Sequence, residues 1–195
     1  MSKRKAVLSE IFSYMKYIIL GVAAGLILNN YVVVNAEVLS GSMENLMEKG
    51  DRIMGSRLSY VWGEPERLDV VIFKYPVDES KNYIKRIIGL PGETVTIEDG
   101  QIYIQDSREP LKETYLKESW NIRNDGYTFH VPEDSYLMMG DNRNISADSR
   151  VWNEEAILAG VVNTEEEAES FRYVKKENIM GKAKIRYWRP FQIIE

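Results

Sequence analysis

Hydrophobic residues are distributed in two different ways along the chain. The stretch from Tyr17 to Ala36 is a run of 20 positions without a charged side chain, and its only strongly polar members are three asparagines. About 20 apolar residues suffice for an α-helix to cross the hydrocarbon core of a bilayer. After this run, short apolar segments alternate with polar turns. The pattern therefore predicts a transmembrane helix at 17–36 and a domain of different architecture at 37–195.

The segments beyond the run are typical of β-strands, because they are short and rich in β-branched and aromatic residues. Leu90-Pro91-Gly92-Glu93 has the signature of a type II turn, and Asp99-Gly100 that of a two-residue hairpin turn. We expect strands at 69–75, 82–88, 94–98, 101–104, 127–131, 136–139 and 183–188. Short strands separated by turns indicate an antiparallel sheet or a partly open barrel. The predicted fold class is mostly β, with an N-terminal transmembrane helix, an antiparallel β-sheet domain and a small β insertion.

Two stretches of the β domain are predicted to be insertions. The first is a small subdomain at 99–135, since much of this stretch is polar and loop-like. The second is a surface extension at 155–172, which contains the acidic run Thr164-Glu165-Glu166-Glu167-Ala168-Glu169-Ser170. Such a run is typical of a solvated helix or loop.

Charge divides the chain at the apolar run. Residues 1–16 carry four basic side chains and one acidic side chain, whereas the whole chain has a net charge of −5. The positive-inside rule predicts that 1–16 are cytoplasmic and that the β domain lies outside, in a single-pass protein of the cell membrane. Two alternatives remain at this point: a cleavable signal peptide ending at Ala36, and a buried core helix.

Composition excludes several kinds of chemistry. The chain has no cysteine and one histidine, so disulfides, thiolate metal sites, a cysteine nucleophile and a histidine-rich zinc site are all excluded. A Ser-His-Asp triad would have to use His130, which falls in no informative motif and is interpreted as an ordinary strand residue. The acidic balance argues against broad nucleic-acid binding, which needs a basic surface.

Chemistry is concentrated in three stretches: Ser40-Gly41-Ser42-Met43, residues 83–93 and residues 140–150. Side chains alternate on a strand, so Lys85 lies between apolar neighbours on one face and Arg86 points to the other. Burial would lower the pKa of the Lys85 amine and allow it to act as a general base towards a serine hydroxyl such as Ser42. The alternative for a single strand lysine is a solvent-facing amine.

The order of these three stretches and the residues in them resemble those of type I signal peptidases, the membrane-anchored serine proteases that remove signal peptides. The resemblance covers the chain from residue 17 to about 188. It implies that Ser42 is the nucleophile and Lys85 the general base. It also implies an oxyanion hole formed by the Ser42 N–H and the Ser40 hydroxyl. This chemistry requires neither a metal nor an organic cofactor.

Further residues match supporting positions of the family. Ser146 matches the serine that orients the lysine amine, Asp148 and Arg150 match a pair that supports the site, and Asp141 and Arg143 match structural polar positions. For the last four, a turn-stabilising hydrogen-bond network is the alternative interpretation. The family's clefts prefer small residues at the first and third positions before the cut, and the matching lining residues would be Met43, Met47, Tyr83, Ile84 and Val38. Ordinary core packing is the alternative for these five.

The chain departs from the family pattern at two motifs. Where the family usually has Pro-Thr-Leu shortly after the serine, this chain has Asn45-Leu46-Met47 after Glu44. We expect the absence of proline to loosen the turn that presents Ser42. The family's usual Gly-Asp before the third strand is Leu68-Asp69 here.

The resemblance implies that the partners are secretory preproteins, the lipid bilayer and, by association of function, a Sec-type export machinery. Because Ser42 closely follows Ala36, the site is expected at the outer membrane surface, where self-cleavage after Ala36 is conceivable. A self-cleaving transcriptional repressor with a Ser-Lys pair is an alternative, but it would carry a DNA-binding domain in place of the apolar run. A second alternative is an inactive membrane-anchored binding domain, which the unusual Glu44-Asn45 turn favours.

Overall fold

A computed structural model of the chain describes residues 3–120, 126–188 and 190–194. Helix α1 (Lys3–Ile27) continues through a π-helical turn (Leu28–Val32) into strand β1 (Val33–Glu37). The other strands are β2 (Arg52–Ser56), β3 (Val70–Tyr75), β4 (Asp78–Gly89), β5 (Thr94–Glu98), β6 (Gln101–Ile104), β7 (Thr128–His130), β8 (Ser135–Met139), β9 (Tyr173–Lys175), β10 (Ile179–Trp188) and β11 (Gln192–Ile193). Helices α2 (Trp152–Leu158) and α3 (Glu165–Glu169) lie between β8 and β9.

Helix α1 and the turn that follows it contain one candidate membrane span, Phe12–Val32, with a mean hydropathy of 1.4. None of its apolar window is buried against the protein, so the interpretation as a buried core helix is wrong. An exposed apolar helix of this length fits a membrane anchor. The span ends earlier than predicted, because residues 33–36 belong to β1, where Ala36 pairs with Ile53 of β2.

The larger sheet has the strand order β1-β2-β10-β3-β4-β8-β9, with β11 paired to β10, and every pair is antiparallel. The mostly β, antiparallel fold class predicted from the sequence is therefore confirmed. The predicted strands are all present; β5 and β6 have the predicted ends, and the others differ at one or both ends. The pattern missed β1, which was assigned to the membrane run, and the short strands β2, β9 and β11.

A smaller sheet with the order β6-β5-β7 forms the predicted β insertion. It begins at Thr94, before the predicted boundary at residue 99, because β5 pairs with both β6 and β7. Asp99 and Gly100 have φ values of 51° and 69°, the left-handed conformation that a type I′ hairpin turn requires. His130 ends β7 and shares a hydrogen bond of 3.1 Å with Thr94. Residues 121–125 of the predicted insertion lie outside the described residues.

The acidic stretch at 155–172 folds into most of α2, all of α3 and a short 3-10 turn. Thr164 caps α3 by accepting a hydrogen bond from the Glu167 N–H, and the three glutamates that follow it suit the positive end of the helix dipole. Although most of this stretch is exposed, Ala156 and Ala168 are buried. The stretch is therefore a surface extension only in part.

Candidate active site

The side chains of Ser42 and Lys85 meet where the turn that contains Ser42 packs on β4, an interior strand of the larger sheet. Ser42 lies in a 3-10 turn, Gly41–Met43, that follows β1, and Lys85 lies on β4. The Lys85 Nζ donates a hydrogen bond of 2.6 Å to the Ser42 Oγ, and both residues are buried. The interpretation of Lys85 as a solvent-facing amine is therefore wrong. The fold brings together the hydroxyl and the amine that the sequence could only propose as partners.

The surroundings of Lys85 favour its neutral form. Burial is the largest influence, and it lowers the pKa of the amine to about 8 even though the carboxylates of Asp148 and Asp141 act in the opposite direction. The amine also lies 5.6 Å from the centre of the Tyr83 ring. A lysine with a pKa near 8 is partly neutral at physiological pH and can accept a proton.

Arg86 occupies the opposite face of β4, as the alternation of a strand requires. Its Nε and Nη2 donate hydrogen bonds of 2.8 and 2.6 Å to the two carboxylate oxygens of Asp141, and its Nη1 donates one of 2.8 Å to the Leu68 carbonyl. Leu68 has a φ of 72°, a conformation that favours glycine, which matches the glycine usual at this position in the family that the sequence resembles. The buried pair joins β4 to the loop that follows β8.

That loop, residues 140–150, is folded by its own polar side chains. Asp148 receives hydrogen bonds of 2.8 and 2.9 Å from Arg150 and one of 3.1 Å from the Gly140 N–H. Burial alone would raise the pKa of Asp148, but the charge of Arg150 and these hydrogen bonds outweigh it, so the pKa is lowered. Arg143 donates to the Gly140 carbonyl at 2.9 Å and forms an ion pair with Glu113.

Gly140 is where this loop meets the serine turn. A side chain there would place its Cβ 2.3 Å from the Ser146 Oγ and 2.5 Å from the Ser42 carbonyl oxygen, so only glycine fits. The neighbouring Asn142 N–H donates to that carbonyl at 3.0 Å. This hydrogen bond holds the serine turn against the loop at 140–150.

The remaining predicted serines differ in their contacts. The Ser40 Oγ lies 3.3 Å from the Ser42 Oγ, to which it donates a hydrogen bond. The Ser146 Oγ is buried and forms no hydrogen bond with the Lys85 amine in the described structure. It lies close enough to Asp148 to help lower the pKa of that carboxyl. The structure thus places Ser40 beside the nucleophile candidate and Ser146 in the loop behind it.

A groove of about 480 Å³ opens in front of Ser42 and Lys85. Of the residues predicted to line it, Val38, Met43, Tyr83 and Ile84 do so. Met47 does not. It is fully buried in the cluster that also contains Val38, Met43 and Ile53, which fits the alternative interpretation of Met47 as a core residue.

The turn after Ser42 is held by several contacts despite the absence of proline. The Leu46 N–H donates to the Met43 carbonyl at 3.1 Å, and Asn45 has a φ of 95°, so residues 43–46 form a type II turn with Asn45 at its third position. The Asn45 Nδ2 donates to the Tyr115 carbonyl at 3.0 Å, and Glu44 forms an ion pair with Lys117. The contacts of this turn therefore do not support the expected loosening.

We expect Asn45→Gly to keep the turn and Asn45→Pro to disrupt it. Glycine adopts a φ of 95° without strain, whereas the proline ring fixes φ near −65°. The proline variant should lose more than about 1 kcal/mol of unfolding free energy, since the substitution is incompatible with the native backbone. Thermal unfolding and peptide cleavage of the two variants test this, and equal stability of both would contradict the turn assignment.

The sequence patterns gave no indication of several residues that contact the serine turn or the loop at 140–150. Asn142 was part of a recognised stretch but received no role, and Glu113, Tyr115 and Lys117 lie in a segment interpreted only as polar and loop-like. The centre of the Tyr115 ring lies 4.0 Å from the Arg86 guanidinium carbon. Nothing in the local pattern signals these contacts, because each partner is distant in the sequence.

Comparison with known proteins identifies relatives over nearly the whole chain. The family model for signal peptidases, peptidase S26, matches residues 11–188. Signal peptidase I of Leptolyngbya laminosa is 32% identical over 92% of this chain and 81% of its own length. Signal peptidase I of Bacillus amyloliquefaciens is 34% identical over 76% of this chain and 80% of its own length. A crystal structure of a signal peptidase I from Enterococcus faecalis is 30% identical, overlaps 62% of this chain and 97% of that one, and has a TM-score of 0.46.

Proposed function

The chain belongs to the signal peptidase family, peptidase S26, whose members are serine endopeptidases, and we propose that it removes signal peptides from secretory preproteins by means of a Ser-Lys dyad. The single observation that carries this proposal is the buried 2.6 Å hydrogen bond between the Lys85 Nζ and the Ser42 Oγ. A serine hydroxyl is a weak nucleophile until a neighbouring base takes its proton. The contact of Lys85 with the Ser42 hydroxyl and its lowered pKa support the proposal that it is this base.

In the proposed reaction, neutral Lys85 accepts the proton of the Ser42 hydroxyl while the Oγ attacks the carbonyl carbon of the scissile bond. The tetrahedral intermediate collapses, the C–N bond breaks, and the leaving amine takes the proton from Lys85. An acyl ester on Ser42 remains. Lys85 then takes a proton from a water molecule that attacks the ester carbonyl carbon. As the bond between that carbon and the Ser42 Oγ breaks, Lys85 returns the proton to the Oγ, and the cleaved signal peptide leaves with a new terminal carboxyl group.

The negative charge that builds on the carbonyl oxygen needs hydrogen-bond donors. We assign the oxyanion hole to the Ser42 N–H and the Ser40 hydroxyl, whose oxygen lies 3.3 Å from the Ser42 Oγ. Donors of this kind, fixed before the reaction in a site without bulk water, contribute about 3–4 kcal/mol each to the stability of the transition state.

The loop at 140–150 would keep the dyad in place. We propose that Asp148 and Arg150 support this loop, that Asp141 holds β4 through Arg86, and that Arg143 fixes the Gly140 carbonyl. The proposed role of Ser146 is to orient the Lys85 amine, which requires its hydroxyl to turn towards the amine from its present position. The burial of all these residues supports a structural contribution to catalysis.

The proposed specificity is for small residues at the first and third positions before the cut, as in Ala-x-Ala. The groove supports this assignment, since Met43, Tyr83 and Ile84 give it apolar walls close to the Ser42 hydroxyl. Small side chains fit between such walls, and larger ones would displace the scissile bond.

Membrane attachment fits the proposed substrate. The candidate span ends at Val32, and only β1 and residues 38–40 separate it from the serine turn, which supports a site close to the bilayer. We propose that the amino-terminal end is cytoplasmic, that the β domain is extracytoplasmic and that the enzyme works beside a Sec-type exporter. An anchored enzyme and an anchored preprotein meet at a raised effective concentration. Self-cleavage after Ala36 would require β1 to leave β2, since Ala36 pairs with Ile53.

The test is to incubate the detergent-solubilised chain with a secretory preprotein and to sequence the new N-terminus of the product. We expect a single cut after an Ala-x-Ala site, because the proposed specificity is for small residues next to the scissile bond. Variants of the preprotein with Leu at either alanine should be cut at least about tenfold more slowly. A folded chain that cuts none of several preproteins would instead favour an inactive binding domain.

A further inference from the structure

Behind the groove lies an aromatic cluster that the proposed mechanism does not use. The ring of Tyr83, which lines the groove, stacks on the ring of Tyr75 from β3 with centroids 4.3 Å apart and planes 7° from parallel. Trp152, at the start of α2, packs edge-on against both rings at 5.7 and 6.3 Å. One wall of the groove is therefore the outer layer of a cluster that reaches α2.

The far side of this cluster is held by a charged residue of α2. The Tyr75 hydroxyl donates a hydrogen bond to the carboxylate of Glu155. Burial and this hydrogen bond raise the pKa of the Tyr75 phenol, so it remains a donor at all physiological pH values. Glu155 is half-buried, whereas its neighbour Glu154 on the same helix is exposed.

A close, nearly parallel pair of rings does not fix its own position. Stacking of two aromatic rings contributes only about 0.5–1.5 kcal/mol beyond the burial of their surfaces, so a further contact is needed to hold the pair in one position. The hydrogen bond from the Tyr75 hydroxyl to the Glu155 carboxylate provides this contact and holds the Tyr75 ring in position. Since Tyr75 is almost fully buried, its hydroxyl has little access to water as a replacement partner.

We infer that Glu155 is a positioning residue for the substrate groove: by holding the Tyr75 hydroxyl, it fixes the Tyr83 ring and thereby the size of side chain that the groove accepts. This inference rests on the proposed function, which supplies the substrate class. Glu155 has no hydrogen bond to Ser42 or Lys85 among the described residues, so it acts on the groove through the two rings. Its negative charge also favours the protonated form of the Lys85 amine, as the last of the influences on that pKa. The stretch that contains it, interpreted from the sequence as a surface insertion, thus contributes to specificity.

The kinetic test compares Glu155→Ala, Tyr75→Phe and Glu155→Gln with the control Glu154→Ala. Loss of the hydrogen bond in the first two should raise KM for an Ala-x-Ala peptide about tenfold with little change in kcat, and should reduce discrimination against Val at the third position. Glutamine keeps an oxygen acceptor for the phenol, so Glu155→Gln should have a KM and a discrimination against Val close to those of the original chain. Glu154→Ala should match the original chain, because the side chain of Glu154 points to solvent.

A second measurement does not depend on cleavage. The ring protons of Tyr83 should be shifted upfield in the NMR spectrum by the stacked Tyr75 ring, and this shift should shrink in Glu155→Ala but not in Glu154→Ala. If the chain cuts no preprotein but the shift behaves in this way, the proposed function fails while the positioning of Tyr83 stands. Unchanged ring shifts and unchanged KM in folded Glu155→Ala would overturn the inference. So would parallel losses of kcat and unfolding temperature without any change in discrimination.

Discussion

Replacing Ser42 with alanine should lower kcat for preprotein cleavage by about 10⁴-fold or more, the loss expected when a catalytic nucleophile is removed. The hydroxyl of Ser42 is the buried oxygen that receives the Lys85 Nζ at 2.6 Å, and alanine leaves nothing to form the acyl ester. The backbone N–H of the residue remains, so substrate binding should change little. We therefore expect the loss in kcat with KM nearly constant.

The measurement is the initial rate of cleavage by purified chain in detergent, compared with Ser119→Ala. Ser119 is exposed and lies outside the groove, so this variant should cleave at the original rate. Circular dichroism and thermal unfolding show whether Ser42→Ala keeps the fold. Residual cleavage within about tenfold of the original rate in the folded variant would mean that another residue is the nucleophile.

Replacing Lys85 with methionine should have an effect of similar size while leaving the fold intact. Methionine has nearly the length of lysine and no charge to desolvate, so it suits a position that is almost fully buried. Without the amine, no described side chain donates to or accepts from the Ser42 Oγ apart from Ser40, which is not a base. We expect kcat to fall by about 10⁴-fold, since nucleophile and base act as one unit.

The same residue predicts the pH dependence of the original chain. Burial lowers the pKa of Lys85 to about 8, and only the neutral amine accepts a proton from Ser42. The rate constant kcat/KM should therefore rise about tenfold per pH unit below 8 and level off above it, because the protonated fraction falls through the pKa. A rate that continues to climb to pH 10, without a lower ionisation, would contradict a desolvated base.

A matched control for Lys85→Met is Lys184→Met. Lys184 is exposed on β10 and does not line the groove, so its removal should change neither the rate nor the pH profile. If Lys85→Met lost its activity together with its cooperative unfolding transition, the loss would be structural. An active, folded Lys85→Met would remove the dyad from the proposal.

Local sequence patterns determined a large part of this fold. The uncharged run predicted an apolar helix, and β-branched segments with Pro-Gly and Asp-Gly turns predicted most strands and the hairpin of the small sheet. These features depend on neighbouring residues, which is why the sequence alone specifies them. The same patterns misjudged the end of the run, because residues 33–36 are apolar enough for a membrane yet form a strand once β2 lies beside them.

For the candidate site, the sequence predicted the residue types, and the structure was needed to show which of these residues line the groove. The resemblance carried by the motifs around Ser42 and Lys85 gave the candidates for nucleophile and base. The alternation along the predicted strand placed Lys85 and Arg86 on opposite faces. Met43 and Met47 were both predicted to line the groove, and both are buried in the same core cluster. Only packing in three dimensions decides that Met43 also borders the groove and Met47 does not.

The sequence by itself determined the strand pattern, the apolar anchor and the residue types at the site. Only the tertiary structure decided that the Lys85 amine reaches the Ser42 hydroxyl and that Glu155 reaches Tyr75, contacts that span 43 and 80 residues of chain. The physical reason is that propensity and turn chemistry act over a few residues. Burial, and with it the lowered pKa of Lys85, exists only once distant strands have packed together.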